Sequence, residues 1–232
     1  MKVLVSDFDE TFFTDEYLEN IERVNSFVDN GNMFIIATGR NIKQLKKDID
    51  QYYIKFSYLI CNDGAMIFDK DLNLLNRIDI DLKTTKIILK ELENDPNVNA
   101  VYIDNGFEHV KEITINNNAV LGKYNDQQIA IDNMNKLMEK YNEIHGYISF
   151  NWINITNSQV SKGNAIKYLV DYLNLNEKDI YPIGDGINDI SMVQMYNGYY
   201  MKKNNCVELE KVGINSVNTV RDLMDIIEKQ VI

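Results

Sequence analysis

Two carboxylates at the end of a short apolar run are the residues of this sequence that point most directly to chemistry. Asp7 and Asp9 are separated by one residue and follow Lys2 to Ser6. The β-branched, near-continuous apolar character of that run is typical of a strand buried on both faces of a parallel sheet. Open α/β sheets bind ligands just beyond the carboxyl ends of their strands. The position of the pair therefore predicts a functional site at Asp7 and Asp9.

A second acidic cluster strengthens this interpretation. Asp185 and Asp189 lie in the sequence GDGIND at 184–189, directly after a predicted strand at Ile180 to Ile183. Two acidic strand ends in one sheet predict a cation held between them. Hard oxygen ligands are what Mg²⁺ prefers, and it is usually bound through one or two carboxylates plus a substrate phosphate. The two clusters together indicate a magnesium site that receives a phosphate.

Composition limits the class of protein. The 232 residues are 45% hydrophobic, enough for one large domain or for a core with a smaller insert. A net charge of −11 argues against a nucleic-acid partner, because nucleic-acid surfaces are rich in Lys and Arg. Cys61 and Cys206 are the only two cysteines and lie far apart, without CxxC or zinc spacing, which favours reduced structural thiols. Without a long apolar run or a signal-peptide pattern, we expect a cytoplasmic protein with no membrane partner.

The order of predicted elements favours an α/β fold with a doubly wound, Rossmann-like parallel sheet. Strands are expected at Met33 to Ala37 and at Tyr58 to Cys61, each followed by a polar strand end. Helical spacing of apolar residues occupies the segments between them, and Asn30-Gly31 offers a left-handed cap to the first helix. This βαβαβ rhythm is the signature of a doubly wound sheet.

The pattern changes in the middle of the chain. There the sequence predicts a hairpin of strands at 66–69 and 74–80, followed by a compact α+β unit with helices at 82–92 and 127–141 and strands at 99–104, 107–115, 147–150 and 152–155. The α/β alternation then resumes through helices at 164–173 and 220–231. We therefore expect a core domain formed by 1–81 and 157–232, with an α+β cap domain at 82–156 inserted into it.

Four separated motifs resemble those of the haloacid dehalogenase-like (HAD) hydrolases. They are Asp7-Phe8-Asp9-Glu10-Thr11, Thr38 in Ala37-Thr38-Gly39-Arg40, Lys162 in Ser161-Lys162-Gly163-Asn164-Ala165, and Gly184-Asp185-Gly186-Ile187-Asn188-Asp189. The insertion between the second and third motifs is similar to the type 2 cap of the Cof-type sugar-phosphate phosphatases, and Asn62-Asp63-Gly64-Ala65 resembles the N-x-G-A turn of that group. The sequence is identified on these motifs as a Cof-type member of the superfamily.

The resemblance implies a Mg²⁺-dependent phosphatase that hydrolyses a small phosphomonoester, such as a sugar phosphate, through an aspartyl-phosphate intermediate. Asp7 would be the nucleophile and Asp9 the general acid and base. The phosphoryl group would be held by Thr38, Gly39, Lys162 and Asn188. Mg²⁺ would be bound by Asp7, by the backbone carbonyl of Asp9, by Asp185 and by Asp189, the last as a ligand or as a support for the ligands.

Several alternatives stay open at the level of sequence. Asp189 could simply cap the helix at Ile190, Thr38 could be only a strand-end residue, and Lys162 could be a solvated lysine. A phosphomutase of the phosphomannomutase type and a non-catalytic sugar-phosphate-binding protein are alternative functions. Glu10 stands where the family usually has Gly, and 218–222 lacks the acidic-glycine pair common in Cof-type chains. Neither the substrate nor the oligomeric state follows from the sequence.

Overall fold

The structure is a computed structural model that describes residues 1–204, 206–212 and 215–229. The chain forms two compact units. The core unit comprises Met1–Arg40, Gln44–Asn76 and the described residues from Ser161 onward, and the inserted unit comprises Asn41–Lys43 and Arg77–Val160. The cap range predicted from the sequence, 82–156, lies within the inserted unit. No helix in the described ranges is long and apolar enough to cross a membrane.

The secondary structure alternates between strands and helices. The strands are β1 Val3–Ser6, β2 Met33–Ala37, β3 Tyr58–Cys61, β4 Met66–Asp69, β5 Leu74–Arg77, β6 Val98–Asp104, β7 His109–Val110, β8 Ala119–Tyr124, β9 Ile144–Ser149, β10 Trp152–Asn157, β11 Ile180–Gly184, β12 Tyr199–Met201 and β13 Asn215–Val217. The helices are α1 Tyr17–Asp29, α2 Ile42–Tyr52, α3 Leu82–Glu93, α4 Gln127–Lys140, α5 Lys162–Leu173, α6 Ile190–Met195, α7 Val207–Lys211 and α8 Val220–Lys229.

The core unit is built on an eight-stranded sheet in the order β13-β12-β11-β1-β2-β3-β4-β5. The strands from β13 to β3 pair in parallel, and β4 runs antiparallel to β3. All four residues of β1 are buried, and Val3 and Val5 pack in a cluster with Ile166 and Leu169 of α5. The predicted α/β class with a parallel core sheet is therefore confirmed.

The first helix ends as its sequence indicates. Asn30 follows the last residue of α1, and its backbone N–H donates to the carbonyl of Ser26, while the N–H of Gly31 donates to the carbonyl of Val28. Gly31 then takes a φ of +81°, in the left-handed region that glycine enters at little cost. This sharp reversal brings the chain directly into β2, whose carboxyl end carries Thr38.

The inserted unit contains a five-stranded antiparallel sheet in the order β7-β6-β8-β10-β9. Helices α3 and α4 contribute to its hydrophobic core, where Ile88 and Leu92 of α3 pack with Met134 of α4 and with Val120 and Ile153 of the sheet. The core of this unit is separate from the cluster around β1 and α5.

Two predicted strands are longer than the strands observed. Only His109–Val110 of the predicted strand 107–115 is a strand, and the predicted strand 74–80 ends at Arg77. The sequence analysis also missed β8, because Gly122 interrupts its apolar pattern. Gly122 lies against α3, where a Cβ atom would be 3.2 Å from Cδ1 of Leu92. The glycine therefore allows close packing of the helix on the sheet rather than ending the strand.

The last part of the core unit holds elements that the sequence analysis did not predict. They are β12, α7 and β13, each of five residues or fewer. Such short segments offer too few residues to show a period. The predicted helix 220–231 is observed as Val220–Lys229, and its last two predicted residues lie outside the described residues.

Candidate active site

The carboxyl ends of β1, β2 and β11 meet at one edge of the core sheet. Ser6 pairs in register with β2 and with Ile183 of β11. The backbone N–H of Asp7 donates to the carbonyl of Ile183 at 2.9 Å. Asp7, Thr38 and Asp185 therefore follow three adjacent parallel strands, at the position where open sheets of this kind bind ligands.

Lys162 is the first residue of α5 and is completely buried. The hydroxyl of Ser161 caps this helix by accepting the backbone N–H of Asn164 at 3.1 Å. The Nζ atom of Lys162 lies 2.6 Å from Oδ1 of Asp7 and 2.6 Å from Oδ1 of Asp189. The alternative of a solvated lysine is therefore wrong, because the ammonium group is held between two carboxylates.

Burial and neighbouring charges set the protonation of this cluster. Burial raises the pKa of the Asp7 carboxyl well above its usual range; Lys162 opposes that rise, and the carboxylates of Asp189 and Asp185 add to it. Burial alone would lower the pKa of Lys162, but the carboxylates of Asp189 and Asp7 outweigh it and raise the pKa. Lys162 is therefore held in its charged form, whereas burial and the neighbouring carboxylates favour the protonated form of Asp7.

Three carboxylates among the described residues are placed to share a metal ion. One oxygen each from Asp7, Asp185 and Asp189 lies within 4.8 Å of the others. Carboxylate oxygens are hard donors of the kind that Mg²⁺ prefers. A divalent cation would also stabilise the charged form of Asp7, which burial and the neighbouring carboxylates disfavour. The residues present therefore fit a Mg²⁺ ion.

Asp189 also holds the loop that carries Asp185. Its Oδ2 atom accepts the backbone N–H groups of Asp185 and Gly186, each at 2.9 Å. Its side chain makes no capping hydrogen bond to α6, so a role only as the cap of that helix is wrong. A Cβ atom at Gly184 would lie 2.3 Å from Cγ of Asp189, so only glycine permits this close approach.

Asp9 is not part of the buried cluster and is paired with Arg40. The side chain of Asp9 is 51% exposed. The Nε atom of Arg40 lies 2.7 Å from Oδ2 of Asp9, and a terminal guanidinium nitrogen bonds to Oδ1. Arg40 also binds Asp48, and its guanidinium carbon lies 4.9 Å from the ring centroid of Phe8. A bidentate pair of this kind fixes the orientation of the Asp9 carboxylate.

The turn after β2 is organised by Thr38. Thr38 is buried, and its backbone N–H donates to the carbonyl of Ile60 at 2.8 Å. Its Oγ1 atom accepts the backbone N–H of Arg40 at 3.1 Å, a bond that does not use the hydroxyl hydrogen. Gly39 faces Asp63, because a Cβ atom there would lie 3.2 Å from Oδ1 of that residue. Thr38 therefore holds the backbone of the turn that follows β2.

Asn188 is held by an acidic residue from a different part of the chain. Its Nδ2 atom donates to Oδ1 of Asp63 at 2.8 Å. The sequence analysis did not place Asp63 or Arg40 among the site residues. The sequence contained a sign that both residues lie near the site, because each belongs to a polar segment that directly follows a predicted strand.

Glu10 is an exposed residue with an unusual backbone conformation. Its φ of 59° lies in the left-handed region that favours glycine. The left-handed backbone conformation at position 10 is one that glycine adopts more easily than glutamate. The exposed side chain places the additional charge outside the buried carboxylate cluster.

Comparison with known proteins decides the family. The family model of the haloacid dehalogenase-like hydrolases matches residues 4–146 and 98–209, which together span most of the chain. The chain is a haloacid dehalogenase-like hydrolase. The family that the four motifs predicted is therefore confirmed.

Several known proteins resemble this HAD hydrolase over most of its length. An uncharacterised protein of Mycoplasma capricolum is 30% identical, with 97% of each chain covered. The Bacillus subtilis protein named 5-amino-6-(5-phospho-D-ribitylamino)uracil phosphatase is 26% identical, and the match covers 84% of this chain and 80% of that protein. The solved structure of a haloacid dehalogenase-like hydrolase from B. subtilis matches with a TM-score of 0.83 at 18% identity, covering 98% of each chain. That structural likeness shows a shared fold.

Proposed function

We propose that this HAD hydrolase is a Mg²⁺-dependent phosphatase that hydrolyses a small phosphomonoester, such as a sugar phosphate, through an aspartyl-phosphate. The observation that carries the proposal is the buried contact of Asp7 with Lys162, beside Asp185 and Asp189. It combines a carboxylate nucleophile, a fixed cation and a set of hard metal ligands at one sheet edge. The phosphatase name of the B. subtilis relative supports the same class of reaction.

In the first step, a carboxylate oxygen of Asp7 attacks phosphorus, and the bond between phosphorus and the leaving oxygen breaks. Asp9 donates a proton to that oxygen as it leaves. Asp9 enters this step protonated, and once the proton has been given up Arg40 orients its carboxylate through the bidentate contact with both oxygens. Lys162 stabilises the negative charge on the equatorial phosphoryl oxygens in the transition state.

In the second step, the Asp9 carboxylate takes a proton from water while the water oxygen attacks phosphorus. The bond between phosphorus and the Asp7 oxygen breaks. Inorganic phosphate leaves, and the Asp7 carboxylate is restored. One residue thus serves first as the acid and then as the base.

The remaining polar groups bind the phosphate and the metal. The hydroxyl of Thr38, the backbone N–H of Gly39 and the amide of Asn188 hold phosphoryl oxygens together with Lys162. In a protein of net charge −11, Lys162 supplies the cation that an anionic small molecule requires. Mg²⁺ would be held by the carboxylates of Asp7, Asp185 and Asp189 and by the backbone carbonyl of Asp9. When bound, Mg²⁺ shields the nucleophile from the charge of the phosphate.

Phosphate release tests the proposal directly. Purified protein is assayed with Mg²⁺ against sugar phosphates, nucleotides, flavin mononucleotide and pyridoxal phosphate. We expect turnover of at least one small phosphomonoester. An assay with a sugar bisphosphate separates hydrolysis from a mutase reaction. Absence of phosphate release from every ester would contradict the proposal.

Metal removal is expected to stop the reaction reversibly. Three carboxylates share the site with a single ammonium group, so without a divalent cation they repel the substrate. EDTA should abolish phosphate release, and Mg²⁺ should restore it better than Ca²⁺, because Ca²⁺ accepts looser geometry and more ligands. Initial rates after chelation and after each metal is added back provide the measurement. Full activity of metal-free enzyme would refute this part of the mechanism.

Asp9→Asn is expected to separate the two steps. An activated ester such as p-nitrophenyl phosphate hardly needs an acid, so the variant should still form the phosphoenzyme. Breakdown of the phosphoenzyme should slow by about 10²–10⁴-fold, because no carboxylate activates the water. Rapid acid quench followed by intact mass measurement should show a phosphate adduct that accumulates.

The matched control is Asp48→Asn, which removes the other carboxylate partner of Arg40. It should accumulate no adduct. If Asp9→Asn turns over within a few-fold of wild type and shows no adduct, Asp9 is not the acid and base.

A further inference from the structure

The turn that follows β3 has an unusual backbone. Asn62, Asp63 and Gly64 have φ values of 51°, 55° and 109°, so three consecutive residues lie at positive φ. Asn62 and Asp63 are of the two non-glycine types that enter this region most readily. Three such residues in succession turn the chain sharply after β3.

Two backbone hydrogen bonds tie the turn to the segment after β2. The N–H of Asn62 donates to the carbonyl of Arg40 at 3.0 Å, and the N–H of Asp63 donates to the carbonyl of Thr38 at 3.0 Å. These bonds fix the backbone of Asp63 relative to Thr38.

The same turn lies against the start of α5. A Cβ atom at Gly64 would lie 2.4 Å from the carbonyl oxygen of Ser161, the residue before Lys162. Only glycine allows this approach. The turn is therefore fixed against two of the segments that carry phosphate-binding residues.

The side chain of Asp63 reaches a third such segment. A carboxylate only accepts hydrogen bonds, so the contact at 2.8 Å requires the NH₂ group of Asn188 to face Asp63. The other end of the amide lies beside Gly186, where a Cβ atom would be 2.7 Å from Oδ1 of Asn188. The bond to Asp63 uses one N–H of the NH₂ group and places Oδ1 on the side of Gly186, and the same nitrogen carries a second N–H.

We propose that Asp63 is a positioning residue, which orients the amide of Asn188 so that its second N–H binds a phosphoryl oxygen. The inference rests on the proposed phosphatase function and deepens it. Asp63 itself does not touch the substrate. The sharp turn after β3 brings the Asp63 carboxylate to the amide of Asn188 in the 184–189 loop.

The test is the binding of inorganic phosphate in the presence of Mg²⁺, measured by isothermal titration calorimetry. Asp63→Gly removes the carboxylate and suits the positive φ, and we expect phosphate binding to weaken about tenfold, the scale for losing a hydrogen bond to a charged group. Asp63→Asn also tolerates this backbone and offers an oxygen acceptor, so it should bind phosphate within about threefold of wild type. Leu72→Gly is the matched control, because Leu72 has a φ of 63° in another turn.

A double-mutant cycle separates positioning from a general structural effect. If Asp63 acts through Asn188, Asp63→Gly should weaken binding no further in an Asn188→Ala background. Four results would each overturn the inference. Asp63→Gly could bind phosphate with wild-type affinity, or Asp63→Asn could fail to retain binding. The two losses could multiply in the double variant, or the unchanged protein could bind no phosphate. Phosphate binding without turnover of any ester would refute the phosphatase function alone, since the affinities still decide the role of Asp63.

Discussion

Asp7→Asn is expected to abolish phosphate release while the protein stays folded. The amide has nearly the same shape as the carboxylate but cannot attack phosphorus, and it offers no full charge to a metal. We expect a loss of about 10⁴-fold or more in kcat, the scale found when a nucleophile is removed. The buried Lys162 keeps one carboxylate partner in Asp189, so the fold should survive. Phosphate release and the melting temperature provide the two measurements.

The control for this variant is Asp50→Asn. Asp50 is exposed and forms an ion pair with Lys46 on the surface of α2, so the same chemical change there should leave turnover unaltered. Intact mass after rapid quench should show no phosphate adduct in Asp7→Asn. If folded Asp7→Asn turns over near the wild-type rate, Asp7 is not the nucleophile, and the proposed mechanism is refuted.

The edge of the sheet that carries Asp7 could be predicted because its signals are local. An apolar run of strand length and the polar residue that follows it are both visible in a few consecutive positions. Parallel pairing then brings the ends of β1, β2 and β11 together whatever the intervening sequence contains. The predicted strands at Met33–Ala37 and Tyr58–Cys61 have the same bounds in the structure.

The side-chain pairs within the site could not be predicted in the same way. Arg40 and Asp9 are 31 positions apart, Asp63 and Asn188 are 125 apart, and no periodic pattern connects such positions. Local pattern likewise does not show that Lys162 is buried, since a lysine before a helix is ordinarily solvated. Its burial follows from the carboxylates that meet it only in the folded chain.

Lys162→Met is expected to affect both activity and stability more than any other substitution of a binding residue. Methionine fills a similar volume but leaves Asp7 and Asp189 buried without the cation between them. Removing one partner of a buried ion pair costs about 3–5 kcal/mol in the free energy of unfolding. The phosphoryl group also loses its fixed cation, so turnover should fall by about 10³-fold or more.

The stability loss in Lys162→Met should depend on pH in a defined direction. Burial already raises the pKa of Asp7 and Lys162 opposes that rise, so its removal raises the folded-state pKa further. A carboxyl whose pKa is higher in the folded than in the unfolded state binds more protons when folded, and stability therefore falls as pH rises between those two values. The difference in unfolding free energy from wild type should thus be smaller at pH 5 than at pH 8.

The control is Lys46→Met, which breaks an exposed pair with Asp50 and should cost less than about 1 kcal/mol at either pH. An equal loss for both variants, or a deficit of Lys162→Met that grows at low pH, would show that Lys162 does not hold the buried carboxylates in their charged form.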